Sequence, residues 1–203
     1  GPRFHPARNQ FYPLKAEELL KSAIDSIPLE FKDDEECGYF CFEGALEIAI
    51  FAISEKYEKT IRKATYDFAQ IYFMYAYSLI ENHKIDEAEN ALKTALKWNP
   101  VSTTIMGELS EVYKMKKDYE NYLYWSKRII QYASSSKMLA RGYRNIAYYY
   151  CDIGEYEKSA AIYYFSRYFE ESKQVTSELF YIAEQLGKLP EAPEADYIKE
   201  LFK

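Results

Sequence analysis

At 203 residues, with 48% apolar and 29% charged side chains, the chain is too hydrophobic for a disordered segment and long enough to bury a core as one domain or one repeat array. Seven glycines and seven prolines are too few for the frequent turns of a β-sandwich or barrel and for the glycine-rich turns of a doubly wound sheet, which leaves helix. Twenty-six basic against 32 acidic side chains give a net charge of -6, the wrong sign for a protein whose main partner is a phosphate backbone.

Residues 1–13 contain three prolines and no helical period, and read as a tail in which Gly1 and Pro2 resemble the remnant of a cleaved tag. From Leu14 the apolar residues Leu19, Leu20, Ile24 and Ile27 recur at helical spacing, with Glu17 and Glu18 in the first turn and Pro28 as a stop. The acidic stretch 28–38 predicts a solvated connection. The strongly apolar run from about Tyr39 to Ile61 predicts a helix buried on more than one side. Residues 14–63 are therefore expected to form a helical hairpin that packs on the chain from Ala64 onward.

From about Ala64 the sequence repeats itself. Ile85, Tyr119 and Tyr156 each precede an acidic residue and open an amphipathic helix, and they lie 34 and 37 residues apart. Another amphipathic helix stands before each anchor, carrying Tyr72, Ala76 and Leu79, then Met106, Ser110 and Tyr113, then Tyr143, Ala147 and Tyr150. Small residues at Ala76, Ser110 and Ala147, and at Ala88 and Ser159 on the second helices, would let paired backbones approach closely, while Tyr122 breaks that rule. The three extra residues before the third unit fall in a loop at 133–137. Val175 to Leu186 predicts a further helix stopped by Gly187, and Asp196 to Lys203 a short closing helix.

With Tyr72, Ala76, Ala88, Leu92, Ala95 and Pro100 in the first unit and the 34-residue period, residues 64–203 resemble the tetratricopeptide repeat family. The resemblance implies an all-α, right-handed solenoid of antiparallel helix pairs, with three repeats at about 69–102, 103–139 and 140–174 and capping helices after them. It also implies a concave groove lined by the first helix of each pair. By position that groove would present Phe73, Tyr77, Ile80 and Glu81, then Thr104, Glu108, Glu111 and Lys114, then Arg141, Arg144, Asn145, Tyr148 and Asp152. Such a face is aromatic at one end, acidic in the middle and basic at the other, and would suit a peptide with an apolar and an acidic side chain. The alternative for Arg141 and Arg144 is pairing with Glu108 and Glu111. Family members that clamp a chaperone's terminal carboxylate need residue types that Phe73, Tyr77 and Glu108 do not supply.

The function implied is a protein-interaction adaptor or scaffold. A peptide-sensing portion of a bacterial regulator and a structural subunit of a larger assembly are the alternatives. The 22 tyrosines serve chiefly inter-repeat packing, and a remainder at the surface would suit a partner or a homodimer.

Catalytic and metal chemistry are sparsely represented. His5 lies in the tail and His83 in a tight turn; Cys37, Cys41 and Cys151 lack the paired spacing of a zinc site. Phosphate-binding loops, HExxH helices and GxSxG elbows are missing, and the acidic run 33–36 lacks the alternation of a calcium loop. The expectation is a non-enzyme without cofactor or metal. The longest uncharged run, Phe68 to Ile80, is 13 residues, short of the roughly 20 that span a bilayer. Three cysteines, no Asn-x-Ser/Thr sequence and no visible leader point to a reduced, cytoplasmic setting.

Overall fold

The computed structural model describes residues 6–27 and 34–201. Ten helices and one two-stranded sheet make up the described chain, which is helical in class. It divides into two compact units, Gly1–Val112 and Tyr113–Lys203, with the boundary inside the fifth helix.

In the first unit, helix α1 runs Pro6–Ser26, so it starts well before Leu14, where the sequence pattern had ended a tail. Proline is at home in a first helical turn, because its missing N–H is one that no carbonyl awaits. Pro13 lies inside the helix and forgoes one hydrogen bond there. The remainder of the tail reading, residues 1–5, and most of the acidic connection, residues 28–33, lie outside the described residues.

The helical hairpin expected over 14–63 is not what forms. After α1 come strand β1 (Cys37–Phe40), helix α2 (Ala45–Ser54) and strand β2 (Thr60–Lys63), with β1 and β2 paired in parallel from Cys37 opposite Thr60 to Phe40 opposite Lys63. The continuous apolar run concealed a strand, a turn and a helix, because hydrophobicity without period does not separate the two. At Gly38 a Cβ would stand 2.1 Å from the Tyr57 hydroxyl and 2.8 Å from the Phe40 ring, so a larger residue there would push these rings aside. Phe40, Phe42, Phe51 and Tyr57 then pack as rings with centroids 4.9 to 5.4 Å apart. Only Phe51 of α2 is buried; Leu46 and Ile53 are exposed.

Helices α3 (Phe68–Glu81) and α4 (Ile85–Trp98) form a tight pair, with Ala76 and Ala88 fully buried. Asp67 caps α3 by accepting the Gln70 N–H. Helix α1 packs on α3, and its Glu17 accepts hydrogen bonds from Asn82 and Lys84 in the α3–α4 turn at 2.7 and 2.6 Å. Those donors hold the Glu17 carboxyl below its ordinary range, Lys84 chiefly. The Cys41 N–H donates to the Trp98 carbonyl, which joins the end of β1 to the end of α4.

Helix α5 (Thr103–Lys116) leads into the second unit, which holds α6 (Tyr119–Tyr132), α7 (Ser136–Asp152), α8 (Tyr156–Ser166), α9 (Lys173–Leu186) and α10 (Ala195–Leu201). Ser135, read as loop, caps α7 by accepting the Met138 N–H, so this pair opens at 136 and the loop is shorter than its serines suggest. Ser159 of α8 donates to the Ala147 carbonyl of α7 at 2.8 Å, the close backbone approach that small residues permit. Ile146, Ala160, Ile162, Val175 and Ile182 close the core of this unit.

The repeat is written in the backbone. His83, Lys117 and Gly154 hold positive φ angles of 60°, 56° and 81° in the turns after α3, α5 and α7, and they recur at the sequence anchors' spacing. In each turn the next residue's N–H reaches back five positions: Lys84 to Leu79, Asp118 to Tyr113 and Glu155 to Tyr150, at 2.8 to 3.0 Å. Gly187 after α9 is left-handed as well, with φ 67°. One left-handed helix end therefore serves four helices.

Candidate binding site

Of the residues that the resemblance assigns to a groove, those in the first unit lie on α3 and α5. Phe73 and Ile80 are half-buried, Tyr77, Glu81 and Thr104 are exposed, and Glu108 and Glu111 are half-buried. The Phe73 and Tyr77 rings are 6.2 Å apart. Phe73 and Thr104 line a cavity of about 30 Å³ together with Cys41, Glu43, Asp67 and Asn99, room for a single water. Burial pushes the Glu43 carboxyl up, and the neighbouring charges of Glu47 and Asp67 add to the effect. Asn99 is 1% exposed and spends its side-chain N–H₂ on Glu47 and the Cys41 carbonyl, leaving its oxygen without a donor.

The second unit concentrates more chemistry. Arg144 is half-buried and donates to Glu170 at 2.9 Å, so this guanidinium is engaged within the unit; the partners considered for it from sequence were Glu108 and Glu111. Asn145 is buried at 8% exposure, and Arg141 is half-buried. Lys114, Tyr148 and Asp152 do come together. The Lys114 ammonium stands 4.9 Å from the Tyr148 ring centroid, and the Tyr119 hydroxyl donates to Asp152. That bond favours the phenol form and pushes Tyr119 up to about 12.

Tyr148, Cys151, Asp152, Tyr156, Glu178 and Tyr181 line an open cavity of about 330 Å³. Burial raises the Glu178 carboxyl above its ordinary value, and the Lys114 ammonium partly offsets this. No hydrogen-bond donor is set against Glu178 among the described residues. The Cys151 thiol is pushed up by burial first and then by the charge of Glu178. Tyr181 is raised by Tyr156 beside it. The cavity is thus walled by three phenols and two carboxylates, with one ammonium at the Tyr148 ring.

Cys151, Tyr156, Glu178 and Tyr181 were missed from sequence, although a signal existed for Glu178 and Tyr181. The left-handed glycines Gly154 and Gly187 set the register of α9 against α7, and moving Asn145 and Tyr148 by the same interval lands on Glu178 and Tyr181. Helices α7 and α9 therefore supply most of this cluster from corresponding positions, and the first residue of α8, Tyr156, completes it.

Among the described residues no group of histidine, cysteine and carboxylate side chains is arranged to hold a metal ion, and no helix is long and apolar enough to cross a membrane. All three cysteines are buried and none is joined in a disulfide; the Cys37 thiol donates to Asp34 and the Cys41 thiol to the Tyr66 carbonyl. No protein-family model matches the chain, and a search of curated proteins returns no match.

Proposed function

We propose that this protein is an interaction module whose helix pairs stack in the manner of tetratricopeptide repeats and bind a peptide or protein segment along their first helices. One observation carries the reading. Tyr148 and Asp152 of α7, Tyr156 of α8 and Glu178 and Tyr181 of α9 line one cavity, with the Lys114 ammonium of α5 over the Tyr148 ring, where a core-packing role would have buried apolar groups. The lining side chains stand on helices joined by recurring left-handed turns, and a face carried on packed helices loses little ordering entropy on binding. The aromatic pair Phe73 and Tyr77 is the matching feature of the first unit. With Arg144 engaged by Glu170, the basic end of the expected groove is weakened, and the anionic cavity becomes its main feature.

The test is selection of binding peptides from a displayed random library, followed by mapping the bound peptide through backbone amide shifts. Perturbation centred on α7 and α9 is the expected result. Failure to enrich any peptide, or shifts confined to α1 and α2, overturns the reading.

A structural-subunit role is the second reading, favoured by the exposed Leu46 and Ile53 of α2 and by Leu14 and Leu19 of α1. A monomer across the micromolar range by sedimentation would count against the homomeric form of it.

A further inference from the structure

The cavity between α7, α8 and α9 has a chemistry more specific than peptide binding in general. Tyr148, Tyr156 and Tyr181 offer π-faces, Asp152 and Glu178 offer carboxylates, and the space is about 330 Å³. We propose that this cavity is a recognition site for an organic cation, the guanidinium of an arginine side chain in the bound segment. The inference rests on the peptide-binding reading for its biological sense, but the site itself is a property of the second unit alone.

Chemical complementarity selects the guest. Aromatic faces attract cations through their quadrupole, and a partly desolvated carboxylate attracts them more strongly than a hydrated one. Glu178 is the half-buried carboxylate without a hydrogen-bond donor; Asp152 is exposed and holds the Tyr119 hydroxyl. An anion would meet both charges and is excluded. A purely apolar guest would cover Glu178 without pairing it, a costly arrangement. A planar guanidinium stacks on a phenol while its N–H groups reach a carboxylate, which a compact ammonium does less well.

The protein's own Lys114, 4.9 Å from the Tyr148 ring, partly occupies this role. It also favours the charged form of Glu178. A guest cation must compete with it, so removal of that ammonium strengthens binding. Arg144 does not compete, because Glu170 holds it.

The probe is Nα-acetyl-arginine-N-methylamide, titrated into the full chain at pH 8 and followed by amide and tyrosine-ring shifts, with the blocked glutamate analogue as control. Saturable binding with a Kd on the order of 1 mM is expected for a single side chain, with the largest shifts at Tyr148, Asp152 and Tyr181. Glu178→Gln, which keeps the shape, should weaken it about tenfold, and Lys114→Gln should tighten it. Tyr181→Ala, at a surface position, is the second variant, and circular dichroism checks that each remains folded. Absence of saturable binding, an equal response to the glutamate analogue, or an unchanged Kd in Glu178→Gln overturns the proposal.

The two readings fail separately. Library peptides that bind on α7 and α9 without any basic residue leave the interaction module standing and remove the cation site. Arginine binding that depends on Glu178, with no peptide enriched, does the reverse.

Discussion

At the scale of single residues, backbone strain and buried charge are the two levers. A side chain with a Cβ in the left-handed region costs about 1 kcal/mol, and His83 and Lys117 both sit there, at φ 60° and 56°. Lys117→Gly should therefore raise stability by about 0.5 kcal/mol after the extra freedom of the unfolded glycine is counted, whereas Gly154→Ala should lower it by about 1 kcal/mol. Urea midpoints at constant slope read both. Glu178 behaves in the opposite sense to most carboxylates. Its folded-state pKa is raised, so folding favours the protonated form, and stability falls as pH rises from the ordinary value near 4.5 toward the raised one and is flat above it. Glu178→Gln should remove that slope and raise the melting temperature at pH 8 by about 1–3 °C. A lower melting temperature in the variant at pH 8 would show that the carboxylate is structurally paired. Glu17 behaves in the ordinary way, its depressed pKa giving stability that is present above the unfolded value and lost as acid protonates it.

At the scale of elements, close approach decides what each helix pair tolerates. A Cβ at Gly142 of α7 would stand 2.5 Å from Ile130 Cγ1 and 3.2 Å from the Ser126 carbonyl of α6. Gly142→Ala should cost about 1–3 kcal/mol despite the better helix propensity of alanine, because the two helices must separate. A gain in stability would mean that Ile130 simply rotates away. Arg144 ties α7 to Glu170 through a part-buried pair at 2.9 Å. Arg144→Glu sets two carboxylates against each other there and should lose about 1–3 kcal/mol, with Glu170→Arg restoring most of it. The single variant's stability remaining within about 0.5 kcal/mol of wild type, the scatter of surface substitutions, would return Arg144 to a free binding face.

At the scale of the whole molecule, helix class and repeat period were open to reading in the sequence while the architecture of the first 63 residues was not. Against a net charge of -6, Ile53 is 78% exposed on the apolar helix α2. Ile53→Lys should leave monomer stability within about 0.5 kcal/mol and abolish any self-association that uses α2, as sedimentation velocity would show. The anchors Ile85, Tyr119 and Tyr156 were legible because a turn motif with one left-handed residue must be rebuilt at the same interval each time a helix pair recurs. Periodicity, capping residues and small residues are local or pairwise requirements, so the helices from Phe68 onward, their turns and the buried Ala76, Ala88, Ala147 and Ser159 were legible in residue order alone. The parallel pairing of Cys37–Phe40 with Thr60–Lys63 was decided by tertiary structure, since two short strands separated by a helix have no period of their own and form only where Gly38, Tyr57 and the phenylalanine cluster allow it. Tertiary structure likewise decided which charges are spent, holding Arg144 on Glu170 and leaving Glu178 without a donor beside Tyr148, Tyr156 and Tyr181, because pairing depends on distance in space and sequence spacing fixes distance only within one helix.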